Sequence, residues 1–245
     1  RSLAEFMTAN RDGTANVLET AAQRPPQRFL LVSSFAAAGP SAPGAPIDET
    51  RVPAPVTDYG RSKLAAEVLT RVMPFPWTIV RPPVVYGEWD REVLKVFKMA
   101  RLGIATVIGD GTQELSLVYA GDLAEALVRA ATSPATAGRV YFAAHTRTTT
   151  SRGFVQAIGT AVGRNPRIVP IPGPVARATL WTIGTAVGLT GHATLLTADK
   201  ANEFLAPAWT CRSDALTRDT GWTATTDLAA GLQRTADWYR EHGWL

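Results

Sequence analysis

The chain has 245 residues, of which 46% are hydrophobic and 19% charged, with a formal net charge of +4. That balance excludes a disordered or fibrous chain and fits a globular protein long enough to bury a full core. The basic excess comes from scattered arginines, with no basic run interleaved with aromatics, so nucleic-acid binding is not expected.

Residues 2–22 predict a helix, with Leu3, Phe6, Met7, Val17, Leu18 and Ala21 at helical spacing, and Pro25-Pro26 stops it. Residues 28–34 form a continuous run bounded by prolines and small residues, as a buried parallel strand requires. Residues 39–57, rich in Pro, Gly, Ser and Ala, read as a long loop of the kind that is usually functional or disordered. A helix over about 58–72 leads to a strand over 77–81 that Pro82-Pro83 ends. Next come a helix over 93–102, a turn at Gly109-Asp110-Gly111, a short strand over 115–119 and a helix through Ala131 that Asp122 caps. A strand is predicted over 139–143. Beyond Ser151, helical segments alternate with short extended pieces such as 167–171.

This alternation predicts an α/β fold with a parallel sheet covered on both faces, and such sheets bind ligands beyond the carboxyl ends of their strands. Ser34 and Arg81-Pro82-Pro83 fall at two such ends. Cys211 is the single cysteine, so no internal disulfide can form; a buried, inert thiol in a reducing, cytoplasmic compartment is the expectation. No run of about eighteen apolar residues occurs. The nearest, 174–196, is broken by Arg177 and His192 and reads as one or two packed helices, so no stable membrane association is expected. No metal site is expected either.

Tyr59 and Lys63 lie four residues apart, on one face of the predicted helix. A phenol titrates near 10, and lowering that by about three units requires roughly 4 kcal/mol of preference for the phenolate. An ammonium one turn away supplies part of it, and a serine at the end of a neighbouring strand can hold a substrate oxygen within reach. By itself the pair reads equally well as a solvated helix face. The upstream strand ending in Ser33-Ser34 and the downstream Arg81-to-Gly87 segment favour the chemical reading.

Taken together, these residues resemble the extended short-chain dehydrogenases/reductases, the NAD-dependent epimerase/dehydratase family, and within it the 3β-hydroxysteroid dehydrogenase-like branch. The resemblance spans nearly the whole chain. It rests on Asn10 to Leu18, on Val32-Ser33-Ser34 with Ala38-Gly39-Pro40, on Tyr59 to Glu67, on Arg81 to Gly87, on Gly109-Asp110-Gly111 through Ala124, and on Gly231-Leu232 to Tyr239. It implies a Rossmann-like parallel sheet, N-terminally incomplete, with a small, mainly helical C-terminal substrate lobe. Residues 1–145 would form the core, with 102–122 contributing to the lobe, and 146–245 would be mostly lobe.

By the same resemblance Tyr59 is the acid/base and also touches the cofactor, Lys63 is its partner and a ribose-hydroxyl ligand, and Ser34 is the substrate-positioning hydroxyl. Ser34 is chosen over Ser33 because it lies three residues before Ala37, which occupies the valine position of the family's Ser-x-x-Val-x-Gly pattern. Pro82, Pro83, Val84 and Val85 would face the nicotinamide, and Ser33 joins the cofactor side while making structural hydrogen bonds. Phe35, Ala36 and Tyr86 would meet a small-molecule substrate. The cofactor would be NAD or NADP. A homodimer through helices 2–22 and 58–72 is implied as well.

Two departures from the family pattern narrow the reaction. Dehydratases carry an Asp-Glu pair after the catalytic hydroxyl residue, where this chain has Phe35-Ala36, and neither can transfer a proton. Sugar-nucleotide epimerases place an arginine after Gly-Asp-Gly-x-Gln-x to pair with a diphosphate; here Leu115 stands there, and Glu114 would add a like charge if it points inward. With Phe35 and Ala36 to Ala38 lining the pocket, the expected reaction interconverts an alcohol and a ketone on a fairly apolar molecule. A sugar-nucleotide epimerase is the alternative.

No Gly-x-x-Gly-x-x-Gly phosphate turn occurs in these residues, and the opening helix matches one that normally follows several strands. The chain thus reads as cut from something longer, with the strand at 28–34 exposing an edge. It would be part of an active enzyme, a truncated cofactor-poor binding protein, or one half of an enzyme completed by another chain.

Overall fold

The computed structural model describes residues 2–189 and 199–245. The chain enters through a single turn, α1 (Leu3–Phe6), closed by a reciprocal cap: Ser2 Oγ accepts from the Glu5 N–H, and the Glu5 carboxylate accepts from the Ser2 N–H. It continues without a break through a π-helical stretch, Met7–Asp12, into α2 (Gly13–Gln23). The wider π turn, a feature frequent near functional sites, carries Asn10, whose Nδ2 donates to Ser62 Oγ at 2.9 Å.

β1 (Phe29–Val32) runs through a 3₁₀ turn and the long loop into α3 (Asp58–Arg71), followed by β2 (Trp77–Arg81), β3 (Val84–Tyr86) and α4 (Arg91–Arg101). β4 (Ile104–Ile108), β5 (Glu114–Leu115) and β6 (Leu117–Tyr119) precede α5 (Ala120–Thr132) and β7 (Arg139–Phe142). Then come β8 (Thr149–Thr150), α6 (Ser151–Ala161), β9 (Arg167–Ile171) and α7 (Gly173–Leu189). The chain ends with α8 (Lys200–Leu205), β10 (Ala208–Trp209), α9 (Asp214–Thr220) and α10 (Leu228–Glu241).

The central sheet has the order β1-β2-β7, all parallel. Successive side chains of β2 leave opposite faces, and both faces are covered. Ile79 packs with Leu31 and Ala66 under α3, and Val80 packs with Leu123, Ala126 and Tyr141 under α5. Both are 0% exposed, which is why β2 reads as an unbroken apolar run. β1 pairs with β2 alone among the described residues, leaving its other edge open. A second core joins Phe97 of α4, Phe154 and Ile158 of α6, and Leu232 and Tyr239 of α10. The long loop is pinned along its length: Ser41 N–H donates to Ala208 O at 3.0 Å and Ile47 N–H to Thr210 O at 2.9 Å.

Some sequence expectations are corrected. Asp122 does not cap α5; Tyr119 holds that position without a side-chain cap. The Asp122 carboxylate instead accepts from the Thr226 N–H and hydroxyl, both at 2.9 Å, tying α5 to the C-terminal segment. The strand over 115–119 splits at Ser116, since β5 joins β8 and β10 while β6 pairs with β3. Three extended segments, β3, β4 and β8, are additional to those expected. Of the segment 174–196, α7 extends to Leu189, and 190–196 lies outside the described residues. No helix among the described residues is long and apolar enough to cross a membrane. Cys211 is buried and unpaired, and burial pushes its thiol well up from the ordinary value.

Candidate active site

Two strand ends meet at the site. Beyond β1 the Ser33 N–H donates to Val80 O at 2.8 Å, and after Ser34 the Phe35 N–H donates to Pro82 O at 2.9 Å, so Ser34 is held beside Arg81-Pro82. The start of α3 lies across this junction. Thr57 caps the helix through its Oγ, which accepts from the Gly60 N–H at 3.1 Å. Gly60 permits the approach: a Cβ there would sit 2.3 Å from Ala36 O, so any side chain would lift α3 off the Ser34 segment. Tyr59 is thereby brought to Ser34.

Ser34 Oγ accepts from the Ala36 N–H at 3.2 Å, and the Ser34 hydroxyl lies on the Tyr59 side of the junction, where it favours the ionised form of the phenol. The edge of the Tyr59 ring packs on Phe6 at 5.7 Å. The expected lowering of the phenol by Lys63 is reversed. Burial raises Tyr59 above the ordinary value, Ser34 opposes the shift, and the nearby Glu203 carboxylate adds to it. Lys63 does lie on the same side, but its Nζ donates to Val32 O at 2.7 Å. Burial lowers the Lys63 ammonium, and Glu67 works against that. At neutral pH the phenol is therefore a proton donor.

All five tyrosines of the chain are shifted upward, each chiefly by burial, Tyr119 to about 12. The unfolded chain releases these protons near 10, while the folded chain keeps them to higher pH. Stability from this source is thus complete below 10 and lost as pH rises through the raised values. A spectrophotometric tyrosinate titration is expected to show little ionisation near pH 10, then a cooperative rise coincident with loss of far-ultraviolet dichroism; five independent phenols titrating near 10 would contradict the burial.

A buried ion pair fixes the geometry beneath. Arg81 Nε and Nη2 donate to the two carboxylate oxygens of Glu67 at 2.8 and 2.6 Å. Ser33 Oγ donates to Glu67 Oε1 at 2.6 Å, and Arg71 adds a bond to Oε2 at 2.9 Å. Arg81 is 2% and Glu67 0% exposed. Sequence reading took Arg81 only as the start of the cofactor-side loop and missed Glu67. The Ser33 hydroxyl belongs to this network, the structural hydrogen bonding expected of it. The signal for Glu67 was its position one helical turn after Lys63, but the partner lies on another strand.

Above the network opens a cavity of about 440 Å³. Ser34, Phe35, Ala36, Tyr59, Pro83 and Val84 line one side; Leu115, Phe154, Phe204 and Trp209 line the other. Phe35 is locked edge-on against Phe142 and Trp209, at 5.2 and 5.5 Å. Among the described residues no arginine, lysine or histidine lines this space, and Glu203 is its one charged residue. Leu115 does face it, while Glu114 does not: Glu114 Oε2 accepts from the Gly44 N–H at 2.9 Å. Ala37 and Ala38 are buried behind the wall rather than in it. Tyr86 is corrected as well, being 2% exposed in the second core against Tyr119 and Phe154. Pro82 is buried, and Val85 packs toward the α5 core.

The residues present fit the nicotinamide end of a dinucleotide. Lys63, one turn after Tyr59 on the same helix, keeps an ammonium with three donors at the end of β1, with one protein acceptor, Val32 O, among the described residues. The Pro83–Val84 backbone borders the same cavity. No group of histidine, cysteine and carboxylate side chains suited to a metal ion occurs among the described residues.

Comparison with known proteins follows the same lines. Residues 1–144 match the NAD dependent epimerase/dehydratase family. A ceramide reductase of Caulobacter vibrioides is 30% identical over 250 residues, covering 100% of this chain and 72% of that protein. The N-acetyl-alpha-D-glucosaminyl-diphospho-ditrans,octacis-undecaprenol 4-epimerase of Escherichia coli O157:H7 is 24% identical, covering 97% of this chain and 72% of that protein. The fold is shared with the UDP-glucose 4-epimerase of Thermotoga maritima solved with UDP-glucose, at a TM-score of 0.77 and 20% identity, over 99% of this chain and 72% of that one. It is shared also with the dTDP-glucose 4,6-dehydratase of Bacillus anthracis in complex with NAD, at 0.75 and 18%, over 98% of this chain and 70% of that one.

Proposed function

The chain belongs to the NAD dependent epimerase/dehydratase family, and we propose that it interconverts an alcohol and a ketone on a fairly apolar small molecule, with NAD or NADP as cofactor. The observation that carries this reading is the cavity wall. It joins the Ser34–Tyr59 pair to an apolar lining without a cation, among the described residues, to meet a diphosphate. Similarity to the ceramide reductase, an enzyme named for a lipid, favours the same class. The 3β-hydroxysteroid dehydrogenase-like branch, the division near residue 145 and the site roles of individual residues belong to the same proposal.

In this mechanism Ser34 donates a hydrogen bond to the substrate oxygen while its Oγ accepts from the Ala36 N–H at 3.2 Å. Tyr59 gives its proton to the carbonyl oxygen during reduction and recovers it from the hydroxyl during oxidation. The raised phenol stays protonated at neutral pH, the form the acid step needs, and is a weaker acid for the shift. Lys63 would hold ribose hydroxyls, and the Pro82–Val85 backbone would face the carboxamide. When bound, the nicotinamide supplies the hydride acceptor or donor.

Fluorescence titration with NADH and NADPH, followed by turnover assays on 2-decanone and on UDP-glucose, tests the reading. Micromolar nucleotide binding with reduction of the ketone and no epimerisation is the expected result. Turnover of UDP-glucose alone would establish the sugar-nucleotide epimerase reading, which the 4-epimerase relatives favour. Absence of nucleotide binding would overturn the reading of this chain as a self-sufficient oxidoreductase.

A homodimer through the opening helix and α3 is part of the proposal. Val17 and Val68 on these helices and Val72 just after α3 are 56%, 54% and 75% exposed, apolar surface that a second copy would cover. Light scattering is expected to give twice the chain mass, and a monomer at high concentration would rule this out.

A further inference from the structure

Buried polar side-chain atoms are nearly always hydrogen-bonded, so the exceptions call for an explanation. Among the described residues the exceptions are Arg28 Nε, Ser151 Oγ and Glu203 Oε2. Two of these residues, Ser151 and Glu203, line the cavity that holds Tyr59 and Ser34.

Glu203 is fixed there by its own backbone. Its carbonyl accepts from Gln113 Nε2 at 3.1 Å and from Trp209 Nε1 at 2.8 Å, and the same Gln113 nitrogen also reaches Ala206 O at 2.6 Å. One carboxylate oxygen, Oε1, accepts from Lys200 Nζ at 2.6 Å. The other, Oε2, has no donor among the described residues. A carboxylate oxygen only accepts, so it selects a ligand that brings an N–H or O–H. Because Lys200 already balances the charge, a neutral donor is favoured over a cation, and an anion is repelled. Ser151, the first residue of α6, adds a hydroxyl that can donate to a carbonyl of the same ligand. Phe154, Phe204 and Trp209 demand that the rest of the ligand be apolar.

The geometry points to Glu203, seconded by Ser151, as the specificity-determining pair of this cavity: the substrate is an apolar carbonyl compound or alcohol carrying a neutral hydrogen-bond donor, a secondary amide or a hydroxyl, beside the reacting carbon. This rests on the apolar-substrate reading given above. It also explains why a carboxylate that opposes ionisation of Tyr59 sits so near it.

Calorimetric titration with N-hexyl-3-oxobutanamide and with its ester counterpart, hexyl 3-oxobutanoate, tests the inference, because the two differ in the single N–H. The unaltered chain is expected to bind the amide about tenfold more tightly than the ester, as for a hydrogen bond to a charged acceptor. Glu203→Gln should reduce that ratio to about two with the ester's own affinity little changed, and Ser151→Ala should weaken the amide by about threefold. Equal binding of amide and ester by the unaltered chain overturns the inference and leaves the apolar-substrate reading intact, as does a ratio that Glu203→Gln does not change. Failure of both compounds to bind overturns the apolar-substrate reading itself, and this inference with it.

Discussion

Tyr59→Phe is expected to lower kcat/KM for ketone reduction by about a thousandfold, the middle of the range for loss of a positioned general acid. The substitution removes one oxygen and keeps the ring whose edge packs on Phe6 at 5.7 Å, so thermal unfolding should be little changed. Nucleotide affinity should also survive, because the groups that would hold the ribose and carboxamide, Lys63 and the Pro82–Val85 backbone, are untouched. The loss should therefore fall on kcat rather than KM. Ser34→Ala should give a smaller decrease, because the phenol would keep its proton while losing the hydroxyl that orients the substrate oxygen. Retention of activity within tenfold in Tyr59→Phe would mean that the proton comes from elsewhere, and the assigned role would fall.

Arg81→Met is the second large effect, and it concerns stability. It strands the Glu67 carboxylate in the interior, where that residue is 0% exposed. Breaking a buried pair from one side typically destabilises by about 3–5 kcal/mol. Arg71, whose side chain is 38% exposed, still reaches Glu67 Oε2 and would soften the loss somewhat. Replacing both partners, Glu67→Met with Arg81→Met, should recover a large part of it, since no charge then remains in the core. Urea unfolding of the single and double variants measures this directly. A loss below about 1 kcal/mol in Arg81→Met, the size of a surface pair, would show that the pair does not hold the site together. Because Ser33 shares the network, the strand end carrying Ser34 should loosen as well, and ketone reduction should fall with stability.

Much of the fold was legible along the chain. β2 announces itself because a central parallel strand is apolar on both faces. The opening helix and α3 show helical spacing and recognisable ends. β4 was missed although Ile-Ala-Thr-Val-Ile is a strand-like run, because the preceding helical pattern and the Gly109 turn framed it as a connection. Asp122 was read as a cap on residue type alone; the bond it makes is to Thr226, 104 positions away, and no local pattern carries such a distance. Tyr86 looked like a substrate group because it follows the cofactor-side loop, yet the pleat of β3 turns it into the second core.

What the sequence determined by itself is the chemistry on offer: a phenol and an ammonium one helical turn apart, a serine at a strand end, and phenylalanine and leucine where acids or an arginine would serve a sugar nucleotide. These are facts of residue type and spacing, and spacing within one helix or strand fixes which groups share a face. Tertiary structure alone decided how those groups behave. Packing buries Tyr59 and raises its phenol where spacing to Lys63 predicted a lowering, because desolvation is the work of every neighbour while an i+4 ammonium is only one. It joins Glu67 to Arg81 across helix and strand, and it brings Ser151 and Glu203, more than fifty positions apart, to the wall of the cavity that Tyr59 faces.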